Sequence, residues 1–152
     1  MKILGIDPGI NGGAAIWDGK MVVDAIDLPT VGEKAKRRIA VQEFRDWVRS
    51  NSPDHAIVER AQAMPDQGAS SGYLYGRAVG ALEAVVGCLD IPLTIIEPRA
   101  WKTFHGLVKT DKEASRQRAI QLCPAAAHLM ARKMDHGRAE AILIAIYGGR
   151  IV

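Results

Sequence analysis

Apolar residues in the first part of the chain recur in short runs separated by Gly and Asp. Three such runs cover residues 2–7, 12–18 and 20–27, and Asp18-Gly19 stands between the last two. Short apolar runs bounded by turn residues are typical of strands, and an Asp-Gly pair is typical of a tight hairpin. We therefore predict that the chain begins with three strands in an antiparallel meander.

The rest of the chain alternates between helical and strand patterns. Apolar residues at helical spacing predict four helices, at residues 39–49, 72–89, 111–122 and 136–147. Shorter apolar runs predict strands at residues 55–59 and 92–97, and polar or Gly-rich loops at residues 29–38 and 61–72. Thr110 and Glu113 form a capping-box pattern before the third helix. This order predicts an α/β fold with a five-stranded mixed sheet, in which the meander is joined by two parallel strands and flanked by helices.

Length and composition are ordinary for one globular domain. The chain has 152 residues, of which 48% are hydrophobic and 24% charged, and we expect a single domain over residues 1–152. No apolar run reaches the roughly 20 residues that span a membrane, and no signal peptide is visible. We expect no membrane association. Cys88 and Cys123 stand in apolar contexts, and we predict reduced core cysteines in a cytoplasmic protein.

Acidic residues end several of the apolar elements. Asp7 closes the first predicted strand and Glu59 the fourth, while Glu140 lies near the start of the last helix, just after Asp135 and His136. Taken singly, each acid could be a turn former, a surface ion pair or a partner of the helix dipole. Together, oxygen ligands that converge from separate elements are what Mg²⁺ or Mn²⁺ needs, and a pair of such ions can cleave a phosphodiester.

Four segments carry a resemblance to a known family: GIDPG with GGAAIWDG, AIVERAQAM, IIEPRAWK and DHGRAEAILIAIYG. In this order they resemble the RuvC-type Holliday junction resolvases, which are ribonuclease H-like nucleases, and more narrowly the phage and prophage members. The resemblance covers essentially the whole chain. It implies a homodimeric endonuclease that uses two Mg²⁺ or Mn²⁺ ions per active site and cuts four-way DNA junctions by symmetric nicks. It implies no nucleotide cofactor and a location in the cytoplasm of a bacterial or phage-infected cell.

The resemblance also implies the active-site residues. Asp7, Glu59 and Glu140 match metal-binding acids, and Lys102 and Lys112 match basic residues near the scissile phosphate. The family places a fourth ligand three residues before the last acid, where this chain has a glycine at position 137. The remaining candidates for the fourth ligand are Asp135 and His136. His136 shares a helix face with Glu140, and because some members of the family use histidine for this ligand, the resemblance favours His136 slightly.

Basic residues are concentrated in two parts of the chain, and they predict a surface that contacts the DNA backbone. The alternative is a solvated surface without a partner. The DNA-binding candidates are Arg37, Arg38, Arg99, Lys102, Lys109, Lys112 and Arg116. Many relatives carry an aromatic residue shortly after the fourth-strand acid, where this chain has none. We expect Met64 to act as a wedge between bases, or Tyr73 or Tyr75 to stack on a base, unless the tyrosines are core or interface residues.

The helix over residues 72–89 has apolar residues on opposite sides, which is consistent with a two-fold dimer interface or with a helix buried inside one subunit. Three other functions remain open. The glycine-rich turn also resembles the phosphate hairpin of actin-like ATPases, although a second such hairpin is not visible. The others are a structure-selective nuclease that acts on flaps or other branched DNA or RNA, and a non-catalytic binder of branched DNA.

Overall fold

Five strands form one mixed sheet in a computed structural model that describes residues 1–62, 66 and 68–152. The strands of this sheet are β1 (Ile3–Asp7), β2 (Gly13–Trp17), β3 (Val22–Asp27), β6 (His55–Glu59) and β7 (Leu93–Ile96). Their order is β3-β2-β1-β6-β7, with antiparallel pairing from β1 to β3 and parallel pairing from β1 to β7. The predicted five-stranded sheet, with its meander and two parallel strands, is confirmed.

Five helices cover the two faces of the sheet. They are α1 (Val41–Asn51), α2 (Ala69–Cys88), α3 (Pro98–His105), α4 (Lys112–Leu122) and α5 (His136–Ile151). One core contains side chains of α3, α4 and α5, and the other contains side chains of α1 and α2. Each core packs on one face of the central strands, whose residues are buried on both sides. Among the described helices, none is long and apolar enough to span a membrane.

Five elements were not predicted from the sequence. The basic segment over residues 29–38 contains a short ribbon, made by β4 (Thr30–Val31) and β5 (Arg38–Ile39), and a 3₁₀ turn at Lys34–Lys36. Helix α3 was also missed, because it has only eight residues and begins two residues after the end of β7. A second 3₁₀ segment at Pro124–Met130 follows α4.

Two local predictions were wrong. The N-cap of α4 is Asp111, whose Oδ1 accepts a hydrogen bond from the Ala114 backbone N–H at 2.9 Å. Thr110 instead donates to the Leu107 carbonyl, so the predicted capping box does not form. Cys88 is exposed at the end of α2, not a core residue, although both cysteines are free thiols.

The apolar side chains of α2 are buried within this subunit. Val79, Leu82, Val85 and Val86 belong to the core beneath α1 and the sheet. Because these residues share one buried face, the predicted placement of apolar residues on opposite sides of the helix is wrong, and the alternative of a helix buried inside one subunit fits them; the two-fold dimer stays a prediction. The exposed residues of α2 include the small residues Gly76, Gly80, Ala84, Gly87 and Cys88, and also Tyr73 and Arg77.

Candidate active site

Two acids meet where parallel strands β1 and β6 end. Ile6 pairs with Val58 across these strands, so Asp7 and Glu59, the next residue of each, stand at the same edge of the sheet. Helix α5 crosses this edge and adds Glu140. The three acids line one open cleft of about 670 Å³. The other residues that line this cleft are Pro8, Gly9, Ile10, Asn11, Gly12, Lys102, Leu107, Thr110, Asp111, Lys112, Ser115 and His136.

The carboxylates of the cleft repel one another. Burial raises the pKa of Asp7 well above its usual value, and the charges of Glu140 and Glu59 raise it further. Lys112 and Lys102 oppose this shift only in part. Burial also raises the pKa of Glu59, against the hydrogen bond from Trp101 and the charge of Lys102. The cleft therefore contains more negative charge than its own lysines neutralise.

The two glutamates are each held by one buried donor. The Trp101 indole N–H donates to Glu59 Oε2 at 2.5 Å, and the Ser115 hydroxyl donates to Glu140 Oε1 at 3.1 Å. Trp101 is 0% exposed and Ser115 is 3% exposed. Sequence reasoning missed both donors. Trp101 stands inside the RAWK segment that carried the resemblance, whereas no sequence signal pointed to Ser115.

Of the two candidates for a fourth ligand, only His136 lines the cleft. Its Nδ1 is buried and has no hydrogen-bond partner among the described residues. Asp135 is 2% exposed, and its carboxylate accepts hydrogen bonds from the guanidinium of Arg132 at 2.6 and 2.9 Å and from the Arg132 backbone N–H at 2.8 Å. The structure thus does not bring Asp135 to the other acids. Its carboxylate is neutralised by Arg132 instead.

Gly137 has no side chain because the backbone of the glycine-rich turn occupies the space. A Cβ at Gly137 would lie 2.8 Å from the Gly12 carbonyl carbon and 2.9 Å from the Asn11 oxygen. A Cβ at Gly13 would lie 2.5 Å from the Gly137 carbonyl carbon and oxygen. Helix α5 therefore approaches the turn backbone to backbone, and a carboxylate at position 137 would not fit.

The basic candidates fall into different surroundings. Lys102 and Lys112 line the cleft, and the Lys102 Nζ lies 5.2 Å from the centre of the Trp101 ring. Arg37 donates to Asn11 Oδ1 and Thr30 Oγ1, both at 2.9 Å, and so ties the β4–β5 ribbon to the glycine-rich turn. The remaining exposed candidates lie outside the cleft lining: Arg38, Arg99 and Lys109.

Arg116 is not a free cation. Its guanidinium donates to both oxygens of Glu113 at 2.7 and 3.0 Å and to the Met130 carbonyl at 2.7 Å. These bonds fasten α4 to the 3₁₀ segment before α5. Arg116 is a predicted DNA-binding residue, but its donors already have partners within the protein.

The two tyrosines proposed to stack on bases lie in different surroundings. Tyr73 is 67% exposed on α2 and does not line the cleft. Tyr75 is partly buried and faces Gly9, and burial together with the charges of Glu59 and Asp7 raises its pKa to about 12. Met64 lies outside the described residues.

The solved structures that resemble this chain include junction resolvases. Thermus thermophilus RuvC in complex with a Holliday junction substrate matches with a TM-score of 0.68 and 18% identity, over 99% of this chain and 96% of that chain. The fowlpox virus Holliday junction resolvase matches with a TM-score of 0.60 and 15% identity, over 100% of both chains. The yeast mitochondrial Holliday junction resolvase matches with a TM-score of 0.58 and 15% identity, over 95% of this chain and 77% of that chain. The chain has the fold of the RuvC-type resolvases.

This RuvC-type fold confirms the predicted ribonuclease H-like architecture. At the level of sequence, no protein-family model and no curated protein matches the chain. The likeness to RuvC is therefore one of three-dimensional structure, and the roles of individual residues have to be argued from the cleft itself.

The cleft of this RuvC-type fold fits a hard divalent cation in donor chemistry and in charge. Carboxylate oxygens are the donors that Mg²⁺ and Mn²⁺ prefer, and a cation would relieve the repulsion among the three acids. Within the described residues, no group of three His, Cys, Asp or Glu side chains is arranged to hold a metal ion as it stands. Side chains would have to close around the cation when it binds.

Proposed function

We propose that this protein is a divalent-metal-dependent endonuclease that resolves four-way DNA junctions. The observation that carries the proposal is the convergence of Asp7, Glu59 and Glu140 with Lys102 and Lys112 in one open cleft. The junction-resolving folds of the neighbouring structures, which include complexes with junction DNA, support this substrate over others.

The oxygens that remain available favour a site for two cations. Asp7 accepts no side-chain hydrogen bond from a described residue, so both of its oxygens would be available to hold cations. Glu59 and Glu140 each keep one oxygen, because Trp101 and Ser115 occupy the other. His136 adds a ring nitrogen at the rim of the cleft. Mg²⁺ or Mn²⁺ bound there would lower the pKa of water and offset the charge that develops on the phosphate.

The lysines of the cleft orient the substrate. Lys102 and Lys112 stand at the same cleft as the acids, so their ammonium groups would bind phosphate oxygens and place the phosphorus over the carboxylates. Water would then attack phosphorus and break the bond to the 3′ oxygen. The products would be a 5′-phosphate and a 3′-hydroxyl.

We propose that the active form is a homodimer. A four-way junction has two-fold symmetry, and symmetric nicks need two active sites in a two-fold arrangement. The exposed face of α2 supports this assembly, because a Cβ built on Gly76, Gly80 or Gly87 would meet no atom within 4 Å. Two copies of this helix could approach closely. Light scattering after gel filtration tests the assembly, and Gly80→Arg should shift the mass to that of a monomer.

The experiment that tests the function is a cleavage assay with Mg²⁺ and with Mn²⁺. Labelled four-way junction, flap and linear duplex are compared at equal concentration. Paired symmetric nicks on the junction alone are expected, and Asp7→Asn should abolish them. Asp46→Asn is the matched control, because Asp46 is an exposed acid of α1 that pairs with Arg45. If the wild-type protein bound the junction but did not cleave it with either metal, the proposed nuclease function would be wrong.

A structure-selective nuclease of wider range is the second candidate. The cleft is open, and nothing that lines it is specific to four-way geometry. Efficient cleavage of flaps in the same assay would favour this candidate over the resolvase. Loss of that cleavage in Asp7→Asn would still assign the reaction to the same cleft.

A further inference from the structure

Two buried side chains stand behind the acids of the cleft, and both donate hydrogen bonds into it. Trp101 comes from α3 and Ser115 from α4, so each glutamate is supported by a helix other than the element that carries it. The donors are 0% and 3% exposed, respectively, and they bond one oxygen each. A buried donor aimed at a carboxylate fixes the rotation of that carboxylate.

The second oxygen of each glutamate is open to the cleft. Neither Glu59 Oε1 nor Glu140 Oε2 is bonded to a described residue, and neither belongs to the enclosed polar atoms that lack a partner. Both residues line the cleft, so these oxygens face it. Each glutamate therefore presents a single free oxygen, whereas Asp7 presents two.

We infer that Trp101 and Ser115 are positioning residues, which would make Glu59 and Glu140 bind a divalent cation through one oxygen each. The inference rests on the proposed function, because it assigns the metal to this cleft. Without the donor, a glutamate would rotate and would present either oxygen or both. The site would then bind the cation less tightly and less uniformly.

Trp101 is suited to this task because its surroundings prevent it from moving. The indole is fully buried, and its ring is covered by the Lys102 ammonium at 5.2 Å on the side of the cleft. The same residue thus fixes one acid and supports one lysine. Its neighbour along the chain reaches the substrate, whereas Trp101 acts only through Glu59 and Lys102.

The test measures Mn²⁺ affinity directly, by electron paramagnetic resonance of the full-length protein without DNA. The variants are Trp101→Phe, which keeps a ring but removes the N–H, and Ser115→Ala, which removes one hydroxyl. Each is expected to weaken Mn²⁺ binding by about 10- to 100-fold. Junction affinity in EDTA should stay within about twofold of the wild type, because the Ser115 hydroxyl is almost inaccessible and already bonded to Glu140, and Trp101→Phe keeps a ring beneath the Lys102 ammonium.

A matched control exists elsewhere in the chain. The Trp47 indole N–H donates to Asp24 Oδ2 at 2.7 Å, which is the same type of bond outside the cleft lining. Trp47→Phe should leave Mn²⁺ affinity unchanged. Ser50→Ala is the corresponding control for the hydroxyl, because Ser50 donates to the Trp47 carbonyl on the surface of α1.

The outcomes separate this inference from the proposed function. If the wild type binds Mn²⁺ but Trp101→Phe and Ser115→Ala bind it as tightly as their controls, the positioning role is wrong and the metal site stands. If the wild type binds no Mn²⁺, with or without junction DNA, the proposed function falls and the inference falls with it. Thermal unfolding in EDTA identifies a variant that does not fold. Ser115→Ala then carries the test if Trp101→Phe is unfolded.

Discussion

Two clusters of charged residues lie close to the start of α5, and their acids have opposite surroundings. The cleft cluster contains Asp7, Glu59 and Glu140, and no ion pair within the described residues involves any of these acids. The second group, the arginine cluster, consists of Asp27, Asp135, Arg132 and Arg138. The two are separated by one strand, because the glycine at position 13 pairs with Asp7 on one side and with Asp27 on the other.

In the arginine cluster every carboxylate is already neutralised. Arg138 Nε donates to Asp27 Oδ1 at 2.9 Å, and Arg132 binds Asp135 at 2.6 Å. Burial by itself would raise the pKa of Asp135, but hydrogen bonds from Arg132 and the charge of Arg138 outweigh it and hold that pKa below its usual range. In the cleft cluster, burial and mutual repulsion raise the pKa of Asp7 instead.

The difference teaches that the partner of an acid decides its role. Asp7 and Asp135 are both aspartates next to turns, and both are largely removed from water. One has its charge satisfied and stabilises the turn before α5. The other has an unsatisfied charge, which disfavours folding but suits a bound cation.

The largest effect is expected from Asp7→Asn. The variant loses the residue with two free oxygens, so junction cleavage should fall by at least about 10³-fold, as much as or more than the loss of one transition-state hydrogen bond. Stability should rise or stay the same, because a repelled carboxylate is removed. Single-turnover cleavage and thermal unfolding in EDTA measure the two effects. A clear loss of stability would contradict this account of the cleft.

The stability of this variant should also depend on pH. The folded chain holds the Asp7 proton more tightly than the unfolded chain, so ionisation of Asp7 lowers wild-type stability as pH rises from the unfolded to the folded pKa. The advantage of Asp7→Asn should therefore be largest at neutral pH and should vanish below the ordinary aspartate pKa of 3.8. An advantage independent of pH would contradict the prediction.

Gly137→Ala is expected to have the second largest effect, because it changes the backbone contact between the two clusters. The added Cβ would lie 2.8 Å from the Gly12 carbonyl carbon, and backbone cannot yield as a side chain can. We expect a loss of about 1–3 kcal/mol in the free energy of unfolding, measured in urea.

Gly80→Ala is the matched control for this variant, because Gly80 lies in α2 with no atom within 4 Å of a built Cβ. Its replacement should raise stability by up to about 1 kcal/mol. Both variants are measured over a range of protein concentrations, so that any association through α2 is detected. Equal effects of the two substitutions would show that the contact at Gly137 imposes no constraint.

Asp135→Asn should have the opposite effects to Asp7→Asn: a loss of stability with little change in cleavage. The amide cannot accept all three hydrogen bonds from Arg132 as the carboxylate does, and we expect a loss of about 1–3 kcal/mol of stability. The folded pKa of Asp135 is lowered, so its contribution is present at neutral pH and is lost as pH falls through that pKa. Cleavage measured well below the unfolding temperature should stay within about threefold of the wild type. A loss as large as that of Asp7→Asn would restore Asp135 as a metal ligand.

The sequence predicted the strands and the acids that end them because both are local. A buried strand shows as an apolar run, and an acid at its end is visible without knowledge of the fold. Once β1 and β6 are adjacent and parallel, Asp7 and Glu59 have to meet. The pairing of Arg132 with Asp135 depends on the path of the turn between α4 and α5, and no pattern in the sequence reports it.

Helix faces and hydrogen-bond donors were harder to predict than strands. The apolar residues of α2 share one buried face, so counting them did not show what the open face contains. Trp101 and Ser115 reach the acids from helices that are separate from β6 and α5. Contacts of this kind are set by tertiary packing, and residue spacing carries no trace of them.

The smallest expected effects are on junction binding, and they distinguish an arginine with no bonded partner from one bonded within the protein. Arg38 is exposed and has no bonded partner among the described residues, whereas Arg116 is held by Glu113 and the Met130 carbonyl. If Arg38 contacts a phosphate, Arg38→Ala should weaken junction binding by about 3- to 10-fold and reduce the slope of log affinity against log salt by about 1.

Arg116→Ala is the counterpart of this variant and should behave in the opposite way. Its donors are used within the protein, so the salt slope should not change, and the loss should show in thermal unfolding instead. Anisotropy titrations over several salt concentrations separate the two outcomes. If Arg116→Ala lowered the slope as Arg38→Ala does, the guanidinium would have to leave Glu113 when DNA binds. Internal neutralisation would then not be enough to exclude a charged residue from the DNA-binding surface, and the contrast between the two clusters would hold only in the absence of substrate.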